Sequence, residues 1–364
     1  MDNLAHTLVG AALGRAVAGH RVPRAALLGA VAANAPDWTE LLLTPPRSGA
    51  AYLVEHRGIT HSLLGAGVEI AALTALLAIA SVFWSRSRGG GPGEAGSATR
   101  PAAPWRWIAA CVSATVLSHL YMDWQGSYGL RPLLPWSGRW YYADWVAIVD
   151  PFFWLAPLLA LAWGARRHWV PGLLAAVVGL PTAVVVLWSG GGGPAGAVAL
   201  WVKLGFGVLC VVGLVGWTRH WFGVAGGRRA AALAVLSLAA YALAHGVASI
   251  GATRHARRQA RERFGAAAEW AALTVVGRPF TWEAIAAGPD TVAGRDWALP
   301  RHLDDPVVQR ALRETTEGRA MAQFARFLAA EVDSSAGVRV YLRDARFTRT
   351  AREGWGVLAV RLRD

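Results

Sequence analysis

The sequence predicts a mainly α fold: a polytopic transmembrane helical bundle with a small C-terminal α+β domain. Three observations carry this. The chain is 54% hydrophobic and only 16% charged, where a soluble domain carries about 25% charge. Its apolar residues lie in blocks, over 63–84, 107–120, 146–163, 171–188, 197–217 and 230–250, and several blocks reach the roughly 18–20 residues a spanning helix needs. Many of the nineteen Trp stand at the ends of these blocks, among them Trp84, Trp105, Trp107, Trp163, Trp188 and Trp217, where membrane interfaces favour them.

Residues 1–35 read as two short helices, about Leu4–Ala18 and Arg24–Ala35, separated at Gly19 and Pro23. The start Met-Asp and the absence of a basic leader argue against a cleavable signal. A Pro/Ser/Gly loop follows, then HRGITHS and the first long block. Residues 86–104 form a Gly/Pro/Ser-rich linker, 126–140 a Gly/Pro/Trp loop, and 189–196 a glycine turn. After Ile250 the polarity is mixed. The 306–332 segment has helical periodicity, and 337–344 and 354–364 alternate as strands do. The expected division is a membrane-embedded domain over 1–252 and a soluble α+β domain over 253–364. Cys111 and Cys210 both lie inside apolar blocks, which excludes a disulfide framework and a thiolate metal site.

The net charge of +13 points to topology rather than to nucleic acid. Arginines fall in four short loops: Arg15, Arg21 and Arg24; Arg86, Arg88, Arg100 and Arg106; Arg166 and Arg167; Arg219, Arg228 and Arg229. Placing all four in the cytoplasm satisfies the positive-inside rule with strict alternation. His6, Asp37, His56, His61, His119, Asp123, Asp144 and Asp150 then fall on the extracytoplasmic side. The C-terminal domain would emerge there too, against the basic run Arg254 to Arg263. Ionisable residues at membrane depth are costly and mark functional sites.

Histidine and carboxylate together make the ligand set of hydrolytic zinc and two-metal centres. His119 and Asp123 are four apart on one helix face. His56 and His61 flank a glycine, the first in a loop and the second at a helix start, with Asp37 at the end of the second short helix. Six ligands, His6, Asp37, His56, His61, His119 and Asp123, exceed one tetrahedral zinc and suit two ions, within a range of one to three. Arg57 is placed to neutralise an anionic substrate. Asp144 is read as a general base, a further ligand or a partner that orients a histidine. Asp150, before Pro151, reads as a helix cap. The blander reading of each residue is an interfacial polar group. His20, His168, His220, His255 and His302 read as solvated, His245 as an interior histidine, and WSGRWYYADW as an interfacial belt.

The motifs AHTLVGAALGR, NAPDW, HRGITHSLLG, SHLYMDWQGSYG and RWYYADWVAIVDPFFWL occur in order over about residues 1–155. Here the chain resembles the YdjM-like, inner-membrane-associated family of metal-dependent hydrolases, distantly similar to zinc-dependent phospholipase C and P1-type nucleases. The resemblance implies a helical scaffold, clustered His/Asp ligands and phosphoester hydrolysis, with membrane phospholipid or another phosphoester as substrate. Family members commonly carry a second acidic residue soon after the NxPD aspartate; in Asp37-Trp38-Thr39-Glu40 either Glu40 takes that role or one ligand is missing, which leaves the metal count open. The rival readings are a transporter using the cluster as a transient cation site, and a scaffold that a metal staples together.

Overall fold

The computed structural model describes residues 1–43, 49–87, 104–165, 169–188, 198–223, 225–335, 337–350 and 352–362. All but the ends of the 86–104 linker, the 189–196 turn and Arg88, Arg100, Arg166 and Arg167 lie outside the described residues.

The chain divides into two compact units. The first comprises Met1–Thr39, Ile59–His245 and Val276–Pro279. It opens with α1 (Asn3–Ala18), α2 (Ala25–Ala32) and α3 (Ala35–Leu43), the last running past Thr39. Asp37 therefore stands in the first turn of a separate helix rather than at the end of the second. Pro36 explains the break: proline is tolerated in a first turn but not within a helix. The second unit comprises Glu40–Gly58, Gly246–Val275 and Phe280–Asp364, and holds α4 (Gly49–Glu55).

A 3-10 turn over Ile59–His61 leads the first unit into α5 (Leu63–Ser87), followed by α6 (Trp105–Gln125), α7 (Pro151–Trp163), α8 (Trp169–Leu174), a π-helical turn, α9 (Leu180–Trp188), α10 (Leu200–Thr218) and α11 (Gly227–Phe264). Among the described residues, four helical stretches are long and apolar enough to cross a membrane: 63–83, 169–187, 200–218 and α11. The 107–120 block is not one of them. Its helix α6 is interrupted by Ser113, Thr115, Ser118, His119 and Asp123 and buries one face within its unit. The 146–163 block yields a helix of 13 residues, because Asp150 and Pro151 start it late.

α1 packs on α2, α6 and α7. Its contact with α2 is closer than side chains allow. A Cβ on Gly14 would lie 2.4 Å from the Ala25 carbonyl oxygen, and one on Gly29 would lie 2.2 Å from the Gly10 carbonyl oxygen. Gly10 and Gly14 form a GxxxG pair, the spacing by which membrane helices bring backbones together. On α6 the buried residues Ile108, Cys111, Val112, Thr115, Val116, His119, Met122 and Asp123 recur every three or four positions, so one stripe faces the interior.

In the second unit, β1 (Glu269–Thr274), β2 (Trp282–Ala287), β3 (Thr291–Ala293) and β4 (Ala298–Pro300) form an antiparallel sheet in sequential order, and β5 (Leu328–Asp333), β6 (Arg339–Asp344) and β7 (Val357–Arg361) form another. Ile285, Val292 and Phe327 lie in its core. The helical periodicity expected over 306–332 resolves into α12 (Pro306–Glu314), α13 (Thr316–Phe324) and β5. Thr315 divides the helices by adopting extended backbone and accepting a hydrogen bond from the Gly318 amide at 3.0 Å. The boundary expected at 252/253 falls inside α11, a continuous helix of 38 residues. Residues 40–58 join this unit because α4 packs on α13.

The glycine contact makes a prediction. Gly14→Ala should destabilise the protein by about 1–3 kcal/mol, because the new methyl meets backbone that cannot yield. Gly67→Ala, which meets nothing within 4 Å, should change stability by no more than about 0.5 kcal/mol. Thermal unfolding in detergent measures both.

Candidate metal centre

Each side chain at the centre is fixed by local structure. Asp2 caps α1, its Oδ1 accepting from the Ala5 amide at 2.9 Å and from Trp154 Nε1 at 3.0 Å. The cap sets His6 in the first turn. The α1–α2 contact seats the end of α2 against α6, where the Ala33 carbonyl accepts from His119 Nδ1 at 2.7 Å. Ser62 caps α5 by accepting from the Gly65 amide at 3.0 Å, and the Leu63 amide donates to the Pro132 carbonyl at 2.9 Å. These bonds hold the turn that carries His61. His119 and Asp123 end the buried stripe of α6.

Five of the six expected ligands converge. His61 Nε2 lies 3.0 Å from His119 Nε2 and 3.2 Å from Asp37 Oδ1. Asp123 Oδ2 lies 3.5 Å from His119 Nε2 and 3.6 Å from His61 Nε2. Asp123 Oδ1 lies 3.3 Å from His6 Nε2 and also contacts the Met1 amine. The rings of His6 and His119 stack at 3.8 Å. Two triads have their donor atoms close enough for one ion each: His6, His119 and Asp123, and Asp37, His61 and His119. His61 and His119 are fully buried, and Asp37 is the most exposed member, at 18% of its side chain.

The spacing fits a metal. Ligands about 2.0–2.1 Å from a tetrahedral zinc stand about 3.3 Å from one another. The three edges of the Asp37–His61–His119 triad are 3.2, 3.0 and 3.7 Å. Protonation fits as well. A carbonyl can only accept, so His119 carries its proton on Nδ1 and presents a lone pair at Nε2. His61 Nδ1 lies 3.0 Å from the Thr60 hydroxyl, and its Nε2 faces the same point, against Asp37 Oδ1 and His119 Nε2. Burial, with help from the nearby His119 and Met1 amine, pushes His6 down to about 3, so its ring stays neutral. Burial opposes ionisation of Asp37, but the His61 hydrogen bond and the neighbouring His119 and His61 rings outweigh it and hold the carboxyl well below the usual carboxylate range. Neutral imidazole and ionised carboxylate are the ligating forms.

The sixth expected ligand, His56, lies in the second unit. Its Nδ1 is 2.9 Å from Glu40 Oε1, and its ring stacks on Tyr52 at 4.8 Å. Glu40 Oε2 also accepts from the Arg57 amide at 2.8 Å. Glu40 thus organises the turn after α4, in which Arg57 is buried with a left-handed φ of 55°. Asp144 is buried with φ 55°, on a loop fastened to the end of α6 by the Ala143 amide on the Trp124 carbonyl at 3.0 Å and the Trp145 amide on the Gln125 carbonyl at 2.8 Å. Asp150 caps α7, accepting from the Phe152 amide at 2.9 Å and from the Tyr241 hydroxyl at 2.9 Å. His245 Nδ1 donates to the Tyr241 carbonyl at 3.0 Å.

Sequence reasoning passed over Glu69, buried on α5 beside Thr39, Asp37 and His61. The signal was available, because Glu69 is the one charged residue of the 63–84 block.

Asp150→Ala removes a cap and strands the Tyr241 hydroxyl, and should cost about 1–3 kcal/mol. Combined with Tyr241→Phe it should cost less than the sum of the two single changes. Thermal unfolding of the four proteins checks this.

No curated protein and no solved structure matches the chain. The model of a family described as YdjM inner membrane protein matches residues 1–192, more than half the chain and a stretch holding all five converging side chains. That match and the four apolar helices mark an inner membrane protein. The chain belongs to the YdjM inner membrane protein family.

Proposed function

We propose that the cluster holds a divalent metal, with zinc the ion its donors suit, and that the protein is a membrane-bound metal-dependent hydrolase acting on a phosphoester. The observation that supports this is the meeting of the His61 and His119 ring nitrogens at 3.0 Å with carboxylate oxygens of Asp37 and Asp123 against them. Two ring nitrogens and two carboxylate oxygens set this close together form a donor set that a divalent cation suits. When bound, the ion supplies a water of lowered pKa and a positive centre for charge that develops on phosphate oxygen.

The chain's own residues do the rest. Ala33 and Thr60 orient the two imidazoles from behind, the arrangement that raises ligand basicity and fixes ring direction. Burial excludes bulk water, so each charge in the site acts at low dielectric. Asp37, the most exposed member, marks the side from which a substrate reaches the cluster. The Arg-bearing loops favour an extracytoplasmic site and C-terminal unit. At that depth a phospholipid headgroup is an accessible substrate.

The test is zinc content and phosphodiesterase or phospholipase turnover of purified protein. Zinc should be bound by the wild type, and His61→Ala and His119→Ala should each lower the zinc content and abolish turnover. Thr60→Val should weaken zinc binding about 10–100-fold. Metal-free wild type, with both histidine variants as stable as the parent, would overturn the reading. Zinc retained without turnover on a broad ester panel would assign the metal to stapling the bundle, a reading that the deep burial of His61 and His119 favours. Uptake into vesicles, rather than turnover, would assign the cluster to transport.

A further inference from the structure

His119 is claimed twice. It belongs to both triads, yet its Nδ1 is committed to the Ala33 carbonyl, and one imidazole nitrogen offers one lone pair to one ion. Assigned to His6 and Asp123, His119 completes three donors. Asp37 and His61 are then left as a pair, one short of the three protein ligands of a catalytic zinc site.

Glu69 stands beside that pair. It lies eight residues after His61 on α5, within electrostatic reach of both Asp37 and His61, and is 7% exposed. Neither carboxylate oxygen has a hydrogen bond of normal geometry. The Thr39 hydroxyl is the neighbouring donor, and it is shared with the Ala35 carbonyl. A buried carboxylate served only by a shared hydroxyl is costly; within an otherwise apolar membrane-type helix it is more so. Asp37 adds repulsion from a second negative group. A cation beside Asp37 and Glu69 removes both penalties.

We propose that Glu69 is a metal-ligating carboxylate, so that the cluster takes two divalent cations, one on His6, His119 and Asp123 and one on Asp37, His61 and Glu69. The proposal rests on the metal-binding reading above. It requires the Glu69 carboxylate to turn onto the cation, since Glu69 is a member of neither triad. It also settles the charge. One divalent ion among three carboxylates leaves a negative centre that repels a phosphoester. Two ions leave a positive one.

Zinc per chain, measured by elemental analysis on monodisperse protein in detergent, tests it. Wild type should hold two equivalents, Glu69→Gln one, His6→Ala one, and the double variant none. Two equivalents in Glu69→Gln, or one in wild type, would overturn the Glu69 site while leaving the cluster a metal site. No zinc in wild type would overturn both. Should Glu69→Gln not fold, titration of metal-stripped wild type with Co²⁺ decides: two breaks in the visible absorbance support the second cation, and a single break at one equivalent overturns it.

Discussion

The side chains of His6, His61, His119 and Asp123, with Asp37 beside them, occupy a space nearly closed to water, and the cost of that desolvation governs the rest of the first unit. An isolated carboxylate cannot be buried cheaply, nor can a charged imidazole. The structure meets the cost locally wherever a neutral partner suffices: Ala33 on His119, Thr60 on His61. What remains is a set of ring nitrogens and carboxylate oxygens set within 3.0–3.7 Å of one another, the donor set of the proposed metal site.

Close packing is what permits this. A helix pair separated by ordinary side chains could not set the end of α2 against the rings on α6. Gly10, Gly14 and Gly29 let the α1 and α2 backbones approach each other directly, and the Ala33 carbonyl is delivered as a consequence. The same α6 stripe that buries Ile108, Val112 and Val116 ends in His119 and Asp123. Core packing and ligand placement are thus one periodicity on one helix, so a substitution that shifts the helix would move the site.

Parts of this were legible from residues alone. His119 and Asp123 could be paired because four residues make just over one helical turn. The apolar blocks announced most of the helices in order. The failures have physical causes. His56 sits five residues from His61 in the same short motif, yet α4 leads into it and packs on α13, more than 260 residues later in the chain. No local pattern reports such a contact. Pro36 permits a new first turn as readily as it ends an old helix, so the residues alone do not assign Asp37 to α3. The 306–332 segment kept its helical period through Thr315 and lost it at Ala325, where the backbone turns extended. Glu69 stands inside an apolar block rather than at its end, so the end-of-block pattern that marks the other site residues does not include it.

The burial that favours metal binding also bears on what the metal would do. A structural zinc site is closed, with four protein ligands, whereas a catalytic one keeps a position open. With Glu69 taken as the proposed sixth donor, the protein donors divide into threes once His119 is counted once, and three is the open number. The least buried donor is Asp37, so the open position of its half would lie at the more exposed side of the cluster. A hydrolytic site needs that coincidence, because the substrate must enter where a coordination position is vacant.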